Sequence, residues 1–161
     1  MKKVKGDLIK MFLNGEFDII IHGANCQSLM GSGIAGQIAR KIPEAYLMDR
    51  IYDRFQHNID KLSNYSICSV RTKNGKVGYV INLYSQYMPG PDLDENALLL
   101  GFKKISKKIL SGDGKTFKIG IPSIGCGIAG GDWNEIGPKI AKIMEDYDIT
   151  HVEYEPIKKN T

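Results

Sequence analysis

No stretch of this chain approaches the ~20 consecutive apolar residues that cross a bilayer, and no signal-type apolar run follows its basic start, Met1-Lys2-Lys3-Val4-Lys5. Cysteine is scarce. Cys26, Cys68 and Cys126 cannot all pair and none stands in a C-x-x-C, which leaves no basis for a disulfide framework or a zinc cluster. Neither sign of charge dominates: 22 Lys and Arg face 18 Asp and Glu, for a net charge of +4. That excess mildly favours anionic partners and is too small to imply duplex nucleic acid. There is no internal repeat, linker or low-complexity segment. These absences lead us to expect a soluble intracellular, cytoplasmic protein without a membrane segment, a metal or a cofactor. At 161 residues, residues 1–161 fit a single domain around one core.

What the chain does have is glycine, 18 residues of it, placed between segments of alternating type. Val4 to Gly6 reads as a short strand, and Phe17-Asp18-Ile19-Ile20-Ile21-His22 as a buried one rich in β-branched residues. Ile34, Ile38 and Ile42 recur at helical spacing, and Pro43 opens a second helical stretch to about Phe55. Tyr65–Arg71 and Val77–Tyr84 read as strands joined at Asn74-Gly75, a hairpin signal. Asp92-x-x-Glu95 resembles a capping box before a helix whose core face is Leu98, Phe102, Ile105 and Ile109. Lys103, Lys104, Lys107 and Lys108 lie mostly off that face and read as a solvated surface. Phe117 to Ile121 is another buried strand. Asp132-x-x-Glu135 caps a helix carrying Ile136, Ile140 and Ile143, and Ile149 to Tyr154 is a last strand. The pattern predicts an α/β fold: a three-layer α/β/α sandwich with a central mixed sheet.

Two buried strands each run into a glycine loop. One leads from Ile21-His22-Gly23-Ala24-Asn25 to Gly31-Ser32-Gly33-Ile34-Ala35. The other leads from Ile121-Pro122-Ser123-Ile124 to Gly125-Cys126-Gly127-Ile128. Glycine lets the backbone approach a ligand and turn its N–H groups inward, helix N-termini add a positive dipole end, and ligands of open α/β sheets sit beyond the carboxyl ends of the strands. Two such loops suit a ligand with two phosphates. Both match G-x-G-x-x-G, but Cys26 to Met30 separates the first from its strand. The chain also ends one strand after the second, so a Rossmann unit is disfavoured.

These stretches, with Val4-Lys5-Gly6-Asp7-Leu8 before them and Val152-Glu153-Tyr154 after, resemble the macrodomain family, the ADP-ribose-binding α/β/α module. The resemblance runs from Val4 to about Tyr154 and implies ADP-ribose, ADP-ribose-1″-phosphate or an ADP-ribosylated protein as partner. It implies that Asp7, with Leu8 beside it, accepts from the adenine amino group and that Tyr154 packs on adenine. Asp7 is also suited to cap a short helix. The resemblance further implies that Ser123, Ile124, Gly125, Cys126, Gly127 and Ile128 wrap the phosphates and distal ribose. The residues Ala24, Gly31, Ser32, Gly33, Ile34 and Ala35 would line the same site, and Asn25 would hold the distal ribose.

Some departures narrow the branch. Where hydrolases acting on mono-ADP-ribosylated acidic side chains have Asn-Ala-Ala-Asn, this chain has His22-Gly23-Ala24-Asn25, and Ala35 stands for their loop Asp. Tyr84 to Asp94 holds no lysine and Ala129 replaces an Asp, which disfavours the lysine mechanism of terminal ADP-ribose glycohydrolases. His22, Asn25, the Gly31–Ala35 loop and Trp133 are similar to the yeast-type ADP-ribose-1″-phosphate phosphatases. The expectation is hydrolysis of that ester, with His22 assisting water at a pKa near 6.5 and Asn25 as its catalytic partner. A non-catalytic ADP-ribose reader and a glycohydrolase of atypical mechanism are the alternatives. Cys126 near a helix N-terminus is a setting that lowers a thiol pKa, though a small residue fitting a tight loop explains it better. His57 and His151 carry no assigned role.

Overall fold

The computed structural model describes residues 1–54, 58–112 and 116–156. Six strands form one sheet: β1 (Lys2–Gly6), β2 (Ile19–Asn25), β3 (Tyr65–Arg71), β4 (Val77–Gln86), β5 (Lys118–Ile121) and β6 (Asp148–Tyr154), in the spatial order β1-β6-β5-β2-β4-β3. Every neighbouring pair is parallel except β3 and β4, the hairpin that turns at Asn74-Gly75. Gly75 sits at φ +82 there, the left-handed geometry glycine adopts without penalty. Among the described residues five α-helices cover the sheet: α1 (Leu8–Leu13), α2 (Gly33–Lys41), α3 (Pro43–Tyr52), α4 (Glu95–Lys108) and α5 (Trp133–Ile143). The mixed α/β sandwich is as the sequence leads one to expect.

The period-2 alternation of the strands divides the core between two faces. Ile20, Val80 and Val152 turn toward Leu8, Phe12, Ile38 and Ala45 of α1, α2 and α3. Ile19, Ile21, Ile81, Leu83 and Ile119 turn the other way, toward Leu98, Phe102, Ile105, Ile136 and Ile140 of α4 and α5. Burying side chains of this size contributes roughly 1.5–3 kcal/mol each, so both faces are anchored independently. Among the described residues no helix is long and apolar enough to cross a membrane.

Two local expectations shift. The cap of α4 is Asp94, whose carboxylate accepts from Ala97 N at 2.9 Å. Asp92 instead accepts from Met88 N at 2.8 Å and closes the preceding loop, because the helix starts at Glu95 and a cap must immediately precede it. α3 ends at Tyr52; Phe55 and His57 lie outside the described residues. Asp132 does cap α5, accepting from Asn134 N at 2.9 Å.

Candidate functional site

Since β1, β6, β5, β2 and β4 run parallel, their carboxyl ends line up along one edge of the sheet. Four inter-strand gaps of about 4.8 Å make that edge roughly 19 Å long. A cavity of about 460 Å³ opens along it. At the β1–β6 end stand Asp7, Leu8, Val152 and Tyr154; at the middle, Ser32 to Ala35 and Ser123 to Ile128; at the β2–β4 end, Ala24, Asn25, Ser85 and Gln86. Among the described residues Asp7 is the one carboxylate lining it, and no Lys, Arg or His does.

The middle is built from backbone. α2 begins at Gly33, at φ +58, so the first-turn amides, which have no partner within the helix, face outward from its N-terminus. Across from it, the loop after β5 turns at Gly125, at φ +73, where an added Cβ would lie 2.7 Å from the Leu93 side chain. Only glycine fits that turn. The loop's internal hydrogen bonds use the amides of Ile124, Cys126, Gly130 and Gly131 and leave those of Gly125, Gly127 and Ile128 without an acceptor inside the loop. Ile128 reaches over to Gly33, whose Cβ position lies 3.6 Å from Ile128 Cδ1, so the two glycine loops nearly meet over the cavity. Such opposed amides and a helix N-terminus make a site for an anion without a cationic side chain.

Asp7 both caps and lines: its Oδ1 accepts from Lys10 N at 3.1 Å as the N-cap of α1, and the residue borders the cavity. Tyr154, at the end of β6, borders the cavity and is 64% exposed. Asn25 is largely committed to its own turn. Its Oδ1 accepts from Gln27 N at 3.0 Å and Leu29 N at 3.3 Å, and its Nδ2 donates to Leu29 O at 2.8 Å. That turn carries Leu29 and Met30 into the cavity wall. Cys126 donates to Ile124 O at 3.2 Å. Burial, with Asp132 and Glu95 adding to it, pushes its thiol up to about 11, opposite to the lowering expected of a helix N-terminus, because α5 starts only at Trp133. Cys126 is therefore a thiol at neutral pH, not a thiolate.

His22 lies inside the fold. It is fully buried and does not border the cavity. In β2 it shares the α2–α3 face with Ile20, and its Nε2 lies 2.6 Å from Asn82 Oδ1. Asn82 donates to Ala45 O at 3.0 Å and to Ser66 Oγ at 3.1 Å. Its amide nitrogen is thus fixed toward those acceptors and its oxygen toward His22, which makes Nε2 the protonated nitrogen of the imidazole. Among the described residues Nδ1 has no hydrogen-bond partner, and burial outweighs both the Asn82 bond and the Gly23 backbone to lower the pKa to about 4. The neutral imidazole is thus fully buried and set back from the cavity lining, with Gly23 and Ser85 bordering the cavity nearby. Gly31 also stays off the cavity lining.

The bond from His22 is one end of a buried polar chain. Ser66 Oγ lies 2.9 Å from the Tyr84 hydroxyl, which donates to Asp49 Oδ1 at 2.7 Å. Beyond Asp49, the wholly buried Lys61 bonds Ser28 Oγ at 2.9 Å, Cys26 O at 3.2 Å and Asp53 at 2.9 Å. Lys61 thereby clamps the segment after β2, including Ser28 at φ 56. The sequence gives no sign of this lysine. It also does not single out the β4 end of the cavity, where Gln86 holds the Met88 and Gly90 carbonyls at 2.7 and 3.0 Å. That end is set by the parallel pairing of β2 with β4, which brings Gln86 beside Asn25.

Comparison with known proteins agrees with this architecture. The macro domain family model matches residues 21–139. A 17.5 kDa protein of the tk-vs intergenic region of Enterobacteria phage T4 is 32% identical over 159 residues, covering 98% of each chain. The solved macrodomain of Thermus aquaticus DarG superposes with a TM-score of 0.76 at 20% identity, covering 96% of this chain and 97% of that one. Thermosipho africanus DarTG, solved in complex with ADP-ribose, gives a TM-score of 0.72 at 15% identity over 99% of this chain and 42% of that longer one. With its family model matched across most of its length and its strand-end cavity between two glycine loops, the chain belongs to the macro domain family.

Proposed function

We propose that the chain binds ADP-ribose in the strand-end cavity. Adenine lies between Asp7 and Tyr154, the diphosphate between the two glycine loops, and the distal ribose against the ends of β2 and β4. The observation that carries this reading is one continuous cavity with its single carboxylate at one end and opposed backbone amides at its middle. A carboxylate accepts from an exocyclic amine, and amides with a helix N-terminus balance a diphosphate. That a structural relative was solved with ADP-ribose supports the same reading. An ADP-ribosylated protein fits it too, because Leu29 at the distal end is 57% exposed.

Recognition, rather than turnover by a side chain, is what the geometry supports best. His22 is enclosed, Asn25 is occupied by its own turn, and no other histidine, lysine or glutamate borders the cavity among the described residues. Hydrolysis of ADP-ribose-1″-phosphate is the second reading, favoured by the free amides of Gly125, Gly127 and Ile128. They would stabilise charge on a phosphoryl group while water attacks without a side-chain base. Calorimetry with ADP-ribose, run beside an assay of phosphate release from ADP-ribose-1″-phosphate, tests both. Binding without phosphate above background leaves recognition as the function. Release that persists in His22→Gln establishes turnover by the backbone route.

A further inference from the structure

We propose that Ser123 and His151 form a hydrogen-bond relay that supplies the side-chain part of the diphosphate site: the Ser123 hydroxyl donates to a phosphate oxygen while His151 Nε2 donates to Ser123 Oγ from behind. The relay deepens the ADP-ribose reading and rests on it.

Ser123 follows β5 and borders the middle of the cavity. Its Oγ lies 2.8 Å from His151 Nε2. His151 belongs to β6, pairs in register with Ile121 of β5, and is 3% exposed. Trp133, the first residue of α5, lies over the imidazole with ring centroids 4.4 Å apart. The ring is thus closed off from solvent, and its Nε2 meets a side chain of the cavity wall. The other described histidine, His22, bonds Asn82 in the interior instead.

The chemistry gives the pair a direction. A serine hydroxyl has one proton to donate and lone pairs to accept with. If Nε2–H donates to Oγ, the serine proton is free to point into the cavity. The imidazolium donates through the same nitrogen, so the relay survives protonation. With no Lys, Arg or His among the described residues lining the cavity, His151 is one hydrogen bond behind that lining and is able to carry positive charge toward the diphosphate. The charged groups bearing on it are Lys3 of β1, its register partner, and Glu153 of β6, which pair with each other at 3.4 Å. From α5 it meets the Trp133 indole, and from β5 the Ser123 hydroxyl. Burial and then Lys3 lower its pKa, against a smaller opposing pull from Glu153. The imidazole of the free protein is therefore neutral at neutral pH. A bound anion favours the charged form, so ligand binding takes up a proton and tightens as the solution is acidified.

Calorimetric titration of ADP-ribose into the whole chain at pH 7.5 and 5.5 tests the relay, using the unmodified protein, Ser123→Ala and His151→Gln. The ligand's diphosphate carries the same charge at both values. Thermal melts establish that each variant is folded. The unmodified protein should bind several-fold more tightly at pH 5.5. Ser123→Ala, which loses one hydrogen bond to a charged group, should bind about tenfold or more weakly at pH 7.5 and lose most of the pH response. His151→Gln keeps an N–H donor without a titrating charge, so it should retain most of the affinity at pH 7.5 and show no tightening. Unchanged affinity in Ser123→Ala, or the full pH response in His151→Gln, overturns the relay and leaves the ADP-ribose reading standing. If His151→Gln does not fold, Ser123→Ala alone decides between the two results. Absence of binding by the unmodified protein at both pH values overturns the ADP-ribose reading and the relay with it.

Discussion

Replacing His22 should change how stability depends on pH and leave ligand binding alone. In the folded chain the imidazole is neutral, with Nε2 on Asn82 and a pKa of about 4; unfolded, it returns to about 6.5. Between those values the unfolded chain binds more protons than the folded one. Stability is therefore fully present above about pH 6.5 and falls as pH drops through the folded value. A gap of about 2.5 units at 1.36 kcal/mol each amounts to roughly 3 kcal/mol. Other titrating groups, Asp49 and His151 among them, contribute to the absolute profile but cancel when the protein is compared with its own variant. His22→Gln keeps an N–H donor near Asn82 and cannot titrate. Urea unfolding at several pH values between 7.5 and 4.5 should show the unmodified protein losing about 2.5 kcal/mol more than the variant, most of the full difference. ADP-ribose affinity at pH 7.5 should match within twofold. Parallel stability profiles would refute the burial of this imidazole. A variant of normal stability that had lost phosphate release would restore His22 as the base.

Asp7→Asn keeps a good helix cap and removes the charge. It should weaken ADP-ribose by about 1.5–3 kcal/mol with little change in Tm, whereas Asp7→Ala should also lose about 0.5–2 kcal/mol of stability; calorimetry and melting separate the two roles. Lys61→Met removes the cation that holds Cys26 O, Ser28 Oγ and Asp53. It should cost about 2 kcal/mol or more in urea unfolding, since buried groups lose their partners. Gly125→Ala places a Cβ 2.7 Å from Leu93 at φ +73. A turn forced out of that conformation should lower ADP-ribose affinity at least about tenfold with a smaller effect on stability, read by calorimetry and thermal melting.

The alternation of apolar runs and glycine loops made the sandwich legible, because each strand and helix carries its own periodicity and the Asn74-Gly75 turn fixes the antiparallel edge. The cavity was legible in most of its residues for the same reason: a ligand site beyond parallel strand ends follows from topology. What stayed hidden depends on pairings across long separations. His22 and Asn82 are 60 residues apart, and Ser123 and His151 are 28 apart. Neither partner announces the other. Strand alternation does place His22 on the same face as Ile20, away from Ile19 and Ile21, which was the available clue to its burial. Nothing in the sequence marks Lys61, because burying an ammonium requires partners from Cys26, Ser28 and Asp53 that only the folded chain assembles.

The central claim is tested most directly by titrating ADP-ribose into the purified protein in a calorimeter, with AMP and NAD as parallel ligands. Saturable one-to-one binding of ADP-ribose, weaker binding of AMP, and loss of affinity in Asp7→Asn are the expected results. No heat with ADP-ribose up to millimolar concentration, or binding of NAD alone, would contradict it.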